Sequence, residues 1–185
     1  MKRYFLFAPF LAALVIALVS CEATGHVELG VTSSAGPMDD MRGSVDHVYA
    51  VVTRVDVRET TESSTGTPEY TWYTVFEGNA QVDLADMGSA SASMLGGKDI
   101  PAGDVDRVRI VLASDTEVVF GSLSVTMTCT SCSGDGFEAA LPEPSTLDAH
   151  GSLDLTLDFT QTLDATHTSF EPTVLAYVTA TGSAE

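Results

Sequence analysis

Cys129-Thr130-Ser131-Cys132 sets two thiols two residues apart, a spacing shared by local disulfides, redox pairs and half-sites for metals. The pair precedes the Gly-rich turn Ser133 to Gly136 and has no βαβ pattern around it. A disulfide that stiffens a hairpin tip is therefore the expectation, with redox activity and metal binding behind it. His26-Val27-Glu28 together with these cysteines offers the residue types of a water-activating zinc centre: a His and two thiolates as ligands, a Glu as acid. No Pro directly precedes Cys129, neither half sits on a helical pattern, and an oxidised pair has no thiolate to give. His150, Ser152 and Asp154 are the residue types of a nucleophilic triad, but closeness along the chain is not triad geometry and no Gly-x-Ser-x-Gly elbow occurs. His47 and His167 stand alone, and His-Glu-x-x-His is absent. Catalytic residues are not expected.

Acidic residues gather in pairs: Asp39 with Asp40, Asp83 with Asp86, Asp104 with Asp106, and Asp135 with Glu138. Calcium takes six to eight oxygen ligands, and loop carboxylates supply them. No EF-hand spacing or nonapeptide repeat is present, so a solvated acidic loop is the ordinary reading of each pair. Asp39 and Asp40 are the preferred calcium candidates. Trp72 lies among Tyr70, Tyr73 and Phe76, an aromatic group able to stack on sugar rings where exposed and to pack across strands where buried. Alternation puts Trp72 and Phe76 on one face and Tyr73 on the other. Tyr70 and Tyr73 are the candidates for a binding surface.

The elements that must position these residues read as strands. Val27, Leu29 and Val31 alternate with polar neighbours, as do Tyr49, Val51, Thr53, Val55 and Val57; Val108, Ile110 and Leu112; and Leu153, Leu155, Leu157 and Phe159. Period-two alternation buries one face of a sheet. Weaker strands are expected over 71–76, 81–84, 117–127, 137–141 and 173–179, each rich in β-branched or aromatic residues. Turn chemistry separates them at Ser34 to Pro37, Ser63 to Pro68, Gly96-Gly97, Pro101 to Gly103, Ser133 to Gly136 and Pro142-Glu143-Pro144. A short turn of helix has room only between Ala85 and Leu95, where Gly88 and several serines oppose it. Many short strands with frequent turns predict an all-β antiparallel sandwich, with a closed barrel as the alternative.

The chain opens with Lys2 and Arg3, continues through 16 uncharged residues from Tyr4 to Val19, and reaches small residues before Cys21. That is the layout of an export signal. The run is interrupted by Pro9 and falls short of the roughly 17 to 25 residues that cross a bilayer as a helix. Leu18-Val19-Ser20-Cys21 resembles the lipobox of bacterial lipoproteins, in which the cysteine receives a diacylglycerol and becomes the new N-terminus. The resemblance implies a signal peptide over 1–20, lipid attachment at Cys21, and a bilayer as partner. Each buried methylene contributes about 0.8 kcal/mol, so several acyl chains hold firmly where one would not. Glu22 follows where an Asp would favour inner-membrane retention, so the outer membrane or cell surface is expected over the inner membrane. A lipidated N-terminus and tether over 21–26 would span on the order of 15 Å before the domain begins at Val27. That domain is expected over 27–181, with a polar tail over 182–185.

Of eight basic residues, losing Lys2 and Arg3 leaves six against 26 acidic ones, a formal charge of −20 on the mature chain. Such a charge repels phosphate backbones and argues against nucleic acid as a partner. It suits solubility outside the cell and leaves cation binding open.

Six segments in a fixed order resemble a family of bacterial lipoproteins catalogued as domain of unknown function 4382. They are Pro37-Met38-Asp39-Asp40 leading into Val48 to Val57; Val82-Asp83-Leu84; Ile100 to Gly103; Val108 to Leu112; Leu157-Asp158-Phe159; and Glu171 to Val174. The resemblance implies an immunoglobulin-like or transthyretin-like sandwich and brings no activity with it. This chain departs from the family's usual Asp-Ala-Pro in the first loop, reading Ser34-Ala35-Gly36-Pro37 instead. The expected function is that of a membrane-anchored, non-enzymatic binding or structural module of the cell envelope, contacting a protein or glycan. An envelope hydrolase or redox protein, or a calcium-stabilised domain, is the alternative.

Overall fold

A computed structural model describes residues 23–34, 45–63, 65–85, 93–129, 132, 134–163 and 169–183. Ten strands follow in chain order: β1 (Thr24–Ser33), β2 (His47–Glu62), β3 (Pro68–Asp83), β4 (Ser93–Pro101), β5 (Gly103–Leu112), β6 (Asp115–Phe120), β7 (Leu123–Thr128), β8 (Phe137–Leu147), β9 (Ser152–Leu163) and β10 (Phe170–Gly182). They form two sheets packed face to face as a sandwich, one of four strands in the order β10-β9-β1-β4 and one of six. In the larger sheet the 16-residue β2 pairs with β3 along one edge. Its other edge meets β6 at His47 to Tyr49 and then β5 from Val52 to Thr60. β7 extends β6, and β8 extends β5. All these pairings are antiparallel, whereas β1 and β9 run parallel, Val27 opposite Leu153 and Val31 opposite Leu157.

The strong alternations produce the core. Val27, Leu29 and Val31 from β1, Val55 and Val57 from β2, Val108 and Ile110 from β5, and Leu153, Leu157 and Phe159 from β9 are all fully buried. Burying one such side chain contributes about 1.5–3 kcal/mol. Polar groups at the margin are satisfied locally: Ser33 Oγ donates to the Phe159 carbonyl at 3.0 Å, and the Ser34 amide donates to Asp158 Oδ1 at 2.7 Å.

Several expected boundaries shift. β1 begins at Thr24, three residues before Val27, because its first residues pair with both β4 and Gly151. Leu95, expected in a turn of helix, belongs to β4, as do Gly96 and Gly97; a bulge opposite Leu29 and Gly30 accommodates them. A Cβ on Gly97 would lie 2.4 Å from the Val27 carbonyl oxygen, so close strand approach, not a turn, selects this glycine. Pro142-Glu143-Pro144 lies inside β8, at an interruption of its ladder with β5 between Val105 and Arg107. Prolines are tolerated there because no ladder donor is missing. The expected strands over 71–76 and 81–84 are one continuous β3. Residues 117–127 instead split into a β6–β7 hairpin turned at Gly121, whose φ is +60°.

Candidate functional site

The outer face of the six-stranded sheet carries four of the chain's eight basic residues: Arg54, Arg58, Arg107 and Arg109. Register brings Arg58 between Trp72 and Arg107, and Asp56 between Thr74 and Arg109. The Arg109 guanidinium carbon lies 3.9 Å from the centre of the Trp72 ring, and that of Arg58 lies 4.3 Å from the Tyr70 ring and 5.8 Å from Trp72. Guanidinium over an aromatic face is attractive because the ring's quadrupole is negative there. Carboxylates fill the gaps. Asp56 accepts from Thr74 Oγ1 at 2.7 Å and lies 3.1 Å from Arg54 Nε. Glu138 pairs with Arg107 at 3.3 Å.

Asp106 is the extra residue of a bulge in β5, where Val105 pairs with Glu59 and Arg107 with Arg58. The bulge turns Asp106 toward Arg58. Arg58 Nε donates to Asp106 Oδ1 at 2.8 Å, and Arg58 Nη2 donates to Oδ2. These bonds to the ionised form hold the Asp106 carboxyl below its ordinary pKa against the opposing effect of burial, and raise that of Arg58. The ladder is a self-neutralising network of cross-strand contacts, with Tyr70, 54% exposed, at its end.

Tyr73 points the other way. It packs against the core, as does Phe76, whereas Trp72 faces outward with Arg58. Trp72 and Phe76 therefore lie on opposite faces, not on one as simple alternation predicts. The reason is a bulge: Asp56 pairs with Thr74 and Val55 with Phe76, so Val75 is the extra residue that flips the phase.

Tyr73 also lines a cleft of about 420 Å³ with Ala23, Glu59, Thr61, Thr71, Pro101 and Ala102. The cleft lies where the start of β1, the β4–β5 connection and the ends of β2 and β3 converge. The Ala102 amide donates to the Ala23 carbonyl at 2.8 Å and closes one wall. Glu59 follows Val55 and Val57 at the same parity, so it points inward, and it is 5% exposed. A Cβ on Gly103 would lie 2.2 Å from Glu59 Oε1, so glycine leaves the space that the carboxylate occupies. Among the described residues, the other two buried carboxylates, Asp56 and Asp158, each accept a hydrogen bond, as do the half-buried Asp83 and Asp106. No described residue donates to Glu59. Sequence reasoning missed this residue, though an acidic side chain in the apolar phase of β2 was the signal for it.

Cys129 and Cys132 are joined, with Cα atoms 5.3 Å apart, and both are buried in the core. They lie between β7 and β8, which pair with different partners, so the disulfide sits in a crossover and not at a hairpin tip. His26, on β1, bonds Asp99 through Nδ1 at 2.7 Å, and with the thiols oxidised the zinc-type set has no thiolate. His47 stacks on Tyr49 and its Nδ1 bonds Asp83, which also accepts from the amides of Val48 and Ala85. Asp104 accepts from Thr146 Oγ1 at 2.6 Å. Among the described residues, no three His, Cys, Asp or Glu side chains are grouped to hold a metal ion. Cys21, Asp39, Asp40, Asp86 and His167 lie outside the described residues. No helix among the described residues is long and apolar enough to cross a membrane.

No curated protein and no solved structure matches the chain. The family model described as "Domain of unknown function (DUF4382)" matches residues 24–169, from the first residue of β1 to the last before β10. This span contains strands β1 to β9, the outer ladder and, Ala23 apart, the cleft, and the chain accordingly belongs to that family.

Proposed function

We propose that the protein is a lipid-anchored module of the cell envelope that binds and does not catalyse. The observation that carries this reading is the shortness of the link between the lipobox-like Cys21 and the folded sandwich. β1 starts at Thr24 and the cleft wall at Ala23. Three extended residues span roughly 10 Å, so acyl chains on Cys21 would hold the cleft end of the domain against the headgroups. A sandwich of this kind presents loops and sheet faces on a rigid frame, which suits recognition of a protein or glycan. Tyr70, exposed at the end of the guanidinium–aromatic ladder, is a contact residue on this reading. A redox role is disfavoured because both sulfurs of the disulfide are buried, and exchange needs an accessible sulfur.

Metabolic labelling of the expressed chain with a fatty acid, followed by membrane fractionation, tests the anchor. Label should appear on the wild-type chain and vanish from Cys21→Ala, which should move to the soluble fraction. An unlabelled wild type, or an alanine variant that still fractionates with membranes, overturns the reading.

A further inference from the structure

We infer that the Glu59 cleft is a binding site for a small primary ammonium carried on an aliphatic body. An inward-pointing carboxylate that is 5% exposed costs free energy unless something pairs with it. The other two buried carboxylates, Asp56 and Asp158, have found donors within the chain, and Glu59 has found none among the described residues. It faces a cleft of about 420 Å³, within the ~300–1,000 Å³ range of small-molecule sites.

The lining specifies the ligand class. Glu59 supplies the negative charge. Thr61 and Thr71 supply hydroxyl acceptors, and Thr71 is the direct cross-strand partner of Glu59. An ammonium group has three N–H donors and no acceptor, which fits one carboxylate and two hydroxyls. Tyr73, Pro101, Ala102 and Ala23 form apolar walls for the attached carbons, and an aromatic face near a cation adds attraction. A hard divalent cation is a poorer fit, because the cleft offers one carboxylate where calcium takes six to eight oxygens. The strongly negative charge of the chain also raises the local concentration of any cation. This site does not depend on the anchoring reading, and each stands or falls by its own experiment.

The test uses the full chain in detergent micelles titrated with n-butylammonium by calorimetry, with n-butanol and butyrate as matched probes. Butylammonium should bind saturably at one site, and the alcohol and the anion should bind at least tenfold more weakly. Glu59→Gln, which keeps the shape and removes the charge, should lose at least tenfold in affinity. Thr71→Arg places a cation on an exposed position directly opposite Glu59; it should raise the melting temperature and block butylammonium. The arginine variant also covers the case in which Glu59→Gln fails to fold. The absence of saturable binding to wild type, equal affinity of butanol, or wild-type affinity in either folded variant overturns the proposal.

Discussion

Replacing Asp106 with Asn isolates what the charge on the outer ladder contributes. Wild-type Asp106 receives Nε and Nη2 of Arg58 on its two oxygens. The Asn Oδ1 can still accept from Nε, but its amide then turns N–H donors toward Nη2, and one charge-assisted bond is lost together with the attraction between the ions. Hydrogen bonds to charged groups contribute about 1.5–3 kcal/mol each. The side chains here are 22% and 16% exposed, so solvent screens part of this, and the expected loss at pH 7 is about 1.5 kcal/mol. For a chain of this length that lowers the melting temperature by about 3–6 °C.

The pH dependence carries a sign. The folded-state pKa of Asp106 is depressed, so its contribution is fully present above the unfolded carboxyl value of about 3.9 and is lost as pH falls through the lower folded value. Arg58 is raised from a value already far above any working pH and adds no slope. Urea titrations of wild type and Asp106→Asn, followed by the fluorescence of Trp72, the single tryptophan, should differ by a constant amount from pH 7 to about 5 and converge in stronger acid. Equal stability at pH 7, or a difference that persists undiminished well below the folded pKa, would refute the reasoning.

Two further outcomes follow from backbone and sulfur geometry. Gly136 has a φ of +74°, and a Cβ there would lie 2.2 Å from the Ile110 carbonyl oxygen; Gly136→Ala should cost about 2 kcal/mol or more by thermal melting. Gly66 shares that φ with nothing within 4 Å, so Gly66→Ala should cost only about 1 kcal/mol; equal losses would show that the clash at Gly136 is relieved elsewhere. Thiol titration of the native chain should find neither Cys129 nor Cys132 reactive. Reduction after unfolding should lower refolded stability by about 2 kcal/mol at most, since a four-residue loop has little closure entropy to lose. Two reactive thiols in the native chain would contradict the disulfide.

The sequence by itself determined an all-β fold of sheets with one buried face, because period-two alternation at Val27 to Val31, Val108 to Leu112 and Leu153 to Phe159 has that physical outcome; strand pairing decided that they stack as two sheets and do not close into a barrel. Family membership was legible in part for the same reason, since two of the six ordered motifs, Val108 to Leu112 and Leu157 to Phe159, fall in these strands. Tertiary structure decided what depends on register. A bulge at Val75 put Trp72 and Phe76 on opposite faces, and a bulge at Asp106 created the bidentate pair with Arg58; a one-residue slip in a strand is invisible to alternation yet moves every later side chain across the sheet. Alternation alone put Tyr70 and Tyr73 on opposite faces, but only the fold made one face the outer ladder and the other the cleft. Glu59 shows both sides: its parity with Val55 and Val57 was written in the chain, but that it would face an open cleft, with no donor among the described residues, required β3, the β4–β5 connection and the start of β1 to converge in space.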